Sequence, residues 1–523
     1  MLHWGHLDFT SFIFLGGVMR KKSVKQAAAL FMAMALIFTS VGLQSITAKA
    51  EQTETVQENI LKLDMDENGY LTPTEESQEM LTKLESESLE NQKFSWDNAT
   101  VYFVLTDRFL NSDKSNDHSY GRGMQADGKT PVEGLDTYTN PGTFHGGDLG
   151  GLTQKVNEGY FTDLGVNAIW ITAPYEQIHG YTSGNVQSNN CNTYPDSSSG
   201  GFPYYSYHGY WTLDYTQIDQ NMGTAKDFEN FVDSCHTKGI RVIMDVVMNH
   251  VGYTTMQDAV DYGFDGVLKD SSMATWKEYY YGNATKLMGG DPEATNFWDS
   301  ESSIWASKWW GPGFVRASYP GYDEAGGDDY HMSLCGLPDV ITEASAKDVP
   351  TPPLLVTKWT KEGRLAQEQK ELDDFFAKTG YKKQPRYYII KWLTDWVREY
   401  GVDGFRCDTA KHVDMDAWKD LKDEAVEALK EWRNKNSSKP GANWTDDFWM
   451  TGECWGHGMD KSPYHTSGGF DSMINFQFPK SGDPAGMEGT YSGYAAKINV
   501  DENYNTLSYL TSHDDSDTTM GVW

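Results

Sequence analysis

The chain has 523 residues, 39% hydrophobic and 14% aromatic, enough to bury one large core with smaller satellites, and its 23% charged content excludes bulk disorder. A net charge of -32 excludes the usual nucleic-acid or anionic-membrane binder, since those surfaces reward Lys and Arg; a neutral substrate or bound cations fit better. Eighteen Trp and thirty Tyr offer flat rings for a polar ligand with apolar faces, although most of them serve the core.

The first element is an address. Arg20, Lys21, Lys22 and Lys25 precede an apolar run from Ala27 to Leu43, and Ala48-Lys49-Ala50 supplies a small-x-small cleavage signature. A secretory signal cut after Ala50 is expected, with translation starting at Met19. The run is short for a bilayer span, so the mature chain is expected outside the cell or in the periplasm without stable membrane insertion. Five cysteines allow at most two disulfides in an exported chain.

Residues 51 to 95 read as two short helices, with Ile60, Leu61 and Leu63 before a turn and Met80, Leu81 and Leu84 after it. The turn fits a twelve-residue calcium loop. Asp64, Asp66, Asn68, Tyr70 and Glu75 form the ligand set, with Gly69 at the sixth position for the sharp bend.

From residue 100 onward, β-rich runs alternate with amphipathic helices. The strands are expected at Val101 to Leu105, Ala168 to Thr172, Val242 to Val247, Gly404 to Asp408, Trp449 to Cys454, Ser472 to Phe478 and Leu507 to Thr511. Phe228, Phe231, Val232 and Cys235, and then Ile389, Ile390, Leu393, Trp396 and Val397, each line one helical face. This alternation predicts an α/β fold, a (β/α)8 TIM barrel, in two parts spanning 96 to 250 and 381 to 523. The excursion of roughly 150 residues after the third strand is far beyond loop length and predicts an inserted subdomain at 251 to 380. The sequence stops just after the seventh strand, so it is expected to be truncated before an eighth.

Carboxylates fall at the C-terminal ends of these strands, where barrel loops build sites: Asp245, Asp408, Glu453 and Asp514. Charge alone does not rank them. Cys407 and Cys454 adjoin two of them, and strand alternation should turn both away from the site.

The surrounding segments do rank them. Asp245-Val-Val-Met-Asn249-His250, Gly404-Phe-Arg406-Cys-Asp408-Thr-Ala-Lys411-His412, Gly452-Glu453-Cys-Trp455 and Ser512-His513-Asp514 resemble the four signature segments of the α-amylase family, in order. Gly146-Gly147-Asp148-Leu149-Gly-Gly-Leu152, Tyr207-His208-Gly209-Tyr210-Trp211 and Leu337-Pro338-Asp339 extend the likeness. Within the family the sequence looks most similar to periplasmic bacterial members.

The resemblance implies a retaining endo-hydrolase of α-1,4-glucosidic bonds in starch, glycogen or maltodextrins, acting as a monomer. Its alternatives are maltodextrin transglycosylation or exo-acting glucosidase work, and, in another class, a glucan-binding barrel without catalysis. It implies Asp408 as nucleophile, kept ionised by Arg406, Glu453 as acid/base, and Asp514 as the third carboxylate. His250 and His513 would hydrogen-bond the same sugar ring, Tyr207 would stack on it, and Lys411 and His412 would hold the leaving-group side. Asn249, Asp339 and the His412 carbonyl would bind Ca2+ between barrel and insert. Asn111, Asp113, Asn116 and Asp117 resemble a second calcium loop of cyclodextrin-forming relatives. The resemblance also implies a C-terminal β-sandwich, which is expected to be missing from this truncated sequence.

Overall fold

The computed structural model describes residues 63–65, 71–75, 77–79, 94–125, 127–131, 142–183, 203–253, 255–264, 304–317, 319–477, 484–501, 504–509 and 512–513. It divides into two units, residues 1 to 93 and residues 94 to 523.

In the first unit Leu63–Met65 pairs antiparallel with Leu71–Pro73, Asp64 facing Thr72. Leu63 therefore lies in a strand and not in the helix that its neighbours' spacing suggested. Glu75 opens a helical turn and is exposed. Asp66, Asn68 and Tyr70, like Ile60, Leu61, Met80, Leu81 and Leu84, fall outside the described residues.

The second unit is built on seven parallel strands: β1 (Val101–Val104), β2 (Ala168–Ile171), β3 (Arg241–Val246), β4 (Gly404–Cys407), β5 (Trp449–Gly452), β6 (Ser472–Asn475) and β7 (Asn505–Ser508). They pair strictly in chain order. A doubly wound sheet reverses its order midway; a sheet that never reverses curls in one direction, as a (β/α)8 barrel does. The curl is visible at its ends. Asn505 at the start of β7 donates to Asp97 just before β1 at 2.8 Å, and the His513 ring lies 4.6 Å from Phe103 of β1.

Alternation along the strands separates two cores. Ala168, Trp170, Ile243, Trp449 and Ile474 fill the inside of the curl. Ile169, Ile171, Val242, Met244, Phe405, Cys407, Met450 and Met473 face outward onto the helices, and Cys454 packs against that outer cluster too. The cysteines beside the strand-end carboxylates thus sit behind the inner face. The four described cysteines, Cys235, Cys335, Cys407 and Cys454, are free thiols.

The helices begin and end where local chemistry dictates. α1 (Leu149–Glu158) is capped by Asp148 accepting from Gly151 N, and α2 (Ala225–Thr237) by a Thr224/Asp227 capping box. α3 (Pro353–Lys361) and α4 (Leu365–Thr379) close the insert. α5 (Pro385–Tyr400) starts on a proline and stops at Gly401, whose φ of +79° and 2.4 Å approach of a Cβ to the Trp432 ring admit only glycine. α6 (Met415–Lys435) and α7 (Pro484–Ile498) follow β4 and β6. Among the described residues no helix is long and apolar enough to cross a membrane.

Two excursions stand above the strand ends. The one after β3 carries a short antiparallel pair, Val315–Arg316 with Asp339–Val340, and ends in α3 and α4. The other follows β2 and was not foreseen: Tyr175–Gln177 pairs with Thr212–Ile218, and Thr182–Ser183 with Pro203–Tyr204.

Candidate active site

The inward positions of three adjacent strands converge on one guanidinium. Register places Arg406 of β4 beside Asp245 of β3 and Thr451 of β5, so its side chain points into the mouth of the curl. Arg406 donates from Nη1 to Asp245 Oδ1 at 3.0 Å and to Asp408 Oδ1 at 2.9 Å, while its Nη2 lies 3.1 Å from Glu453 Oε2. Its side chain is 1% exposed, those of Asp408 and Glu453 9% and 14%, so the two carboxylates form the accessible edge of a buried charge cluster.

One cation cannot balance three carboxylates, and the excess appears as raised pKa values. Burial, only partly offset by Arg406 and reinforced by Asp408, lifts Asp245 to about 7. Burial also lifts Glu453, and the Asp408 carboxylate pushes it the same way through charge and a shared hydrogen bond. Glu453 is thus disposed to hold a proton beside an Asp408 that the guanidinium grips directly.

The backbone after Asp408 makes that pairing possible. Thr409 is one of three described non-glycine residues at positive φ, at +46°, a costly conformation for a β-branched residue. The turn aims Thr409 N at Glu453 Oε2, 2.9 Å away, and Ala410 N at the Glu453 carbonyl, 2.7 Å away.

The excursion after β2 delivers the next shell. Tyr210 donates to Asp245 Oδ2 at 3.0 Å, its hydroxyl meets His513 Nε2 at 2.8 Å, and Trp170 Nε1 reaches the same Asp245 oxygen at 3.2 Å. Tyr207, expected to stack on the sugar, lies elsewhere: the Arg108 guanidinium covers its ring at 3.7 Å and its hydroxyl meets Tyr204 at 2.9 Å. The tyrosine three residues later occupies the position against the carboxylates. The quoted segment contained both, and only the chain's path distinguishes them.

His250 is buried and donates from Nε2 to the Tyr210 carbonyl at 3.1 Å. Burial holds its pKa near 4, and that of His208, whose Nδ1 accepts from Tyr210 N, near 3. Both rings are neutral at ordinary pH. Lys411 pairs with Asp329 of the insert at 2.9 Å, and His412 Nδ1 reaches the Asp329 carbonyl at 2.7 Å, so both sit at the rim and not in the charge cluster. Asp514 lies outside the described residues.

A neutral His250 also fixes its neighbour. With its Nε2 donating, its Nδ1 must accept, and it does so from Asn249 Nδ2 at 3.2 Å. The Asn249 oxygen then faces two further acceptors, Asp339 Oδ1 at 3.3 Å and the His412 carbonyl at 3.0 Å. Turning the amide would relieve this, but would require protons on both His250 nitrogens. Three oxygens thus converge, and burial lifts Asp339 to about 8, so the cluster suits either a proton on that carboxyl or a hard cation. Among the described residues no three His, Cys, Asp or Glu side chains gather as metal ligands; here an amide and a carbonyl supply two of the oxygens.

The second calcium loop fits less well. Asn111 donates to Asp117 Oδ1 at 2.7 Å, and Asn111 Oδ1 and Asn116 Oδ1 are buried without a partner. Asp113 instead turns outward and caps Ser115.

Comparison with known proteins agrees with this geometry. The family model described as "Alpha amylase, catalytic domain" matches residues 103–311 and 358–520. The chain is 42% identical over 457 residues to the periplasmic alpha-amylase of Escherichia coli, covering 85% of this chain and 60% of that one. It is 28% identical over 400 residues to the alpha-amylase of Streptomyces lividans, covering 72% and 36%, and 34% identical over 180 residues to the cyclomaltodextrin glucanotransferase of Bacillus licheniformis, covering 34% and 21%. The chain thus spans 60% or less of the length of these curated relatives.

Proposed function

The chain belongs to the family of α-amylase catalytic domains, and from that premise we propose that it hydrolyses internal α-1,4-glucosidic bonds of starch, glycogen or maltodextrins with retention of anomeric configuration. The observation that carries this reading is the single Arg406 guanidinium shared by Asp245, Asp408 and Glu453.

In the first step an Asp408 oxygen attacks the anomeric carbon, the glycosidic C–O bond breaks, and Glu453 gives its proton to the departing oxygen. In the second, Glu453, now a carboxylate, takes a proton from water, the hydroxide oxygen attacks the anomeric carbon, and Asp408 leaves. Charge on Asp408 falls as it bonds and returns as it leaves. Arg406 stabilises the ionised form at both ends of the cycle. Tyr210, His250, His513 and Asp514 would bind the ring at the cleavage point, and Lys411 and His412 the leaving-group side.

Asn249, Asp339 and the His412 carbonyl would hold Ca2+, which supplies cross-linking between the insert and the β4 loop and no chemistry. Asn111, Asn116 and Asp117 would form a second cation site, and Asp64, Asp66, Asn68, Tyr70 and Glu75 a third. The basic segment and apolar run before Ala50 support export. The test is proton NMR of the hydrolysis of maltoheptaose by the whole protein: α-anomers appearing first support retention, and β-anomers appearing first overturn it.

A further inference from the structure

A proton on Glu453 has two oxygens open to it, and the fold leaves room on one. Thr409 N donates to Oε2 at 2.9 Å, and Arg406 Nη2 lies 3.1 Å from the same oxygen. A carboxyl oxygen that carries a hydrogen keeps only part of its accepting capacity, so a proton on Oε2 would displace one of these two N–H groups. The residue is also fixed through its main chain. Glu453 N donates to the Cys407 carbonyl at 2.9 Å, and the Glu453 carbonyl accepts from Ala410 N at 2.7 Å. Two successive N–H groups of one turn thus hold the side chain and the backbone of the same residue.

That turn is strained. Thr409 sits at φ +46° and ψ +43°, in the left-handed region that a β-branched residue rarely visits. Its own hydroxyl is buried without a partner and does not offset the strain. What the conformation achieves is therefore done by the main chain, which it aims at Glu453.

We propose that Thr409 is a positioning residue for Glu453: together with Arg406 it fills Oε2, and so confines the exchangeable proton of Glu453 to Oε1. With the hydrolytic reading above, on which this rests, Oε1 is the single reacting oxygen. Its O–H bond breaks as the proton passes to the departing glycosidic oxygen, and the lone pair left behind takes a proton from water when the bond between sugar and Asp408 breaks. Oε2 keeps both donors throughout. They stabilise the carboxylate that exists between the two steps and hold its plane still, so Oε1 acts twice without rotating.

The Thr409 N–H favours the ionised form and so opposes the burial and the Asp408 charge that raise Glu453. Activity is lost as Glu453 loses its proton, so removing the N–H should carry that alkaline limb to higher pH. The groups acting electrostatically on Glu453 include Arg406 and Asp408, Tyr210 from the excursion after β2 and His250 after β3. Burial keeps Tyr210 well above its ordinary value and His250 near 4, so neither changes charge over the limb. Asp245, lifted to about 7 across the same guanidinium, does change.

The test replaces single peptide bonds of the whole protein by esters, with an α-hydroxy acid in place of Thr409 or of Ala410. The first ester removes the N–H on Oε2, the second only the N–H on the Glu453 carbonyl. For maltoheptaose, the alkaline limb of kcat/KM should lie about one pH unit higher in the Thr409 ester than in the Ala410 ester, the order of one hydrogen bond to a charged group. Asp245 titrates in both and drops out of the comparison. Thr409→Gly keeps the N–H, removes the side chain and accepts the backbone angle, so its limb should coincide with that of the unaltered protein. Equal limbs in the two esters, or a Thr409→Gly limb displaced as far as that of the Thr409 ester, would overturn the proposal. Neutron diffraction on acidic crystals of the whole protein locates the deuteron directly: Glu453 Oε1 is the expected carrier, and a deuteron on Oε2 sinks the assignment. That readout needs no turnover, so a protein that hydrolyses nothing in any form would refute the hydrolytic reading while the deuteron still decides this one.

Discussion

At the scale of single residues, the proposed division of roles between Asp408 and Glu453 rests on a contest for one guanidinium. Arg406 reaches both Asp408, at 2.9 Å, and Glu453, at 3.1 Å, yet burial and the Asp408 charge lift Glu453 despite that contact. Asp408→Asn and Glu453→Gln should each lower kcat by several orders of magnitude at unchanged melting temperature. Glu453→Gln should recover in part on aryl maltosides whose leaving groups need no proton, while Asp408→Asn should not; equal damage on both substrate types would mean the roles are reversed. The raised Glu453 value also has a direction in pH. The acid works only when protonated, so activity is present below its folded pKa and is lost as pH rises through it, and the alkaline limb of kcat/KM should lie above the ordinary glutamic acid value. Asp245→Asn frees Arg406 to stabilise ionised Glu453 and should shift that limb to lower pH. A limb that stays in place would show that Asp245 does not compete for the guanidinium.

Between elements, the two excursions are held by ion pairs and not by apolar packing alone. Lys358 of α3, fully buried, reaches Glu176 at 2.8 Å, Asp214 at 3.0 Å and Glu362 at 2.7 Å. Burial raises Asp214, but Lys358 and Arg364 together bring it down to about 2. The insert's last helices are thereby clamped onto the hairpin that carries Tyr210 toward the site. Lys358→Met leaves Glu176 and Asp214 as buried charges without their main partner and should cost about 3–5 kcal/mol in urea unfolding. A loss under 1 kcal/mol would mean that water or Arg364 already satisfies them. A gradual loss of activity preceding the main transition would locate the damage in the hairpin.

For the whole molecule, the proposed cation site would tie three remote stretches together: Asn249 after β3, Asp339 in the insert and His412 after β4. A ligand bound only by the folded chain stabilises by mass action, about 2.7 kcal/mol at one hundred times its Kd. Calcium should therefore raise the melting temperature and EDTA lower it. Asn249→Ala combined with Asp339→Ala should abolish most of that response, and an undiminished calcium shift would place the stabilising ion elsewhere.

Local sequence indicated the seven strands as short β-rich runs, and α2 and α5 by apolar residues spaced along one helical face. Strand ends offered Asp245, Asp408, Glu453 and Asp514 without ranking them, and only the resemblance of the segments around them singled out Arg406, Asp408 and Glu453. What local sequence did not determine was anything that depends on two distant stretches meeting. The first hairpin after β2 consists of irregular strands whose pairing partners lie far apart along the chain, as Glu176 and Asp214 do, so no local period announces it. For the same reason, the choice between Tyr207 and Tyr210 was decided by the path of that excursion, which brings one ring to Asp245 and leaves the other under Arg108. Leu63 likewise took a strand because Pro73 lay opposite, a cross-chain pairing that overrides weak helical spacing. Burial did the rest: the raised pKa of Glu453 and the lowered one of His250 follow from surrounding charge and solvent exclusion, which exist only once the chain has folded.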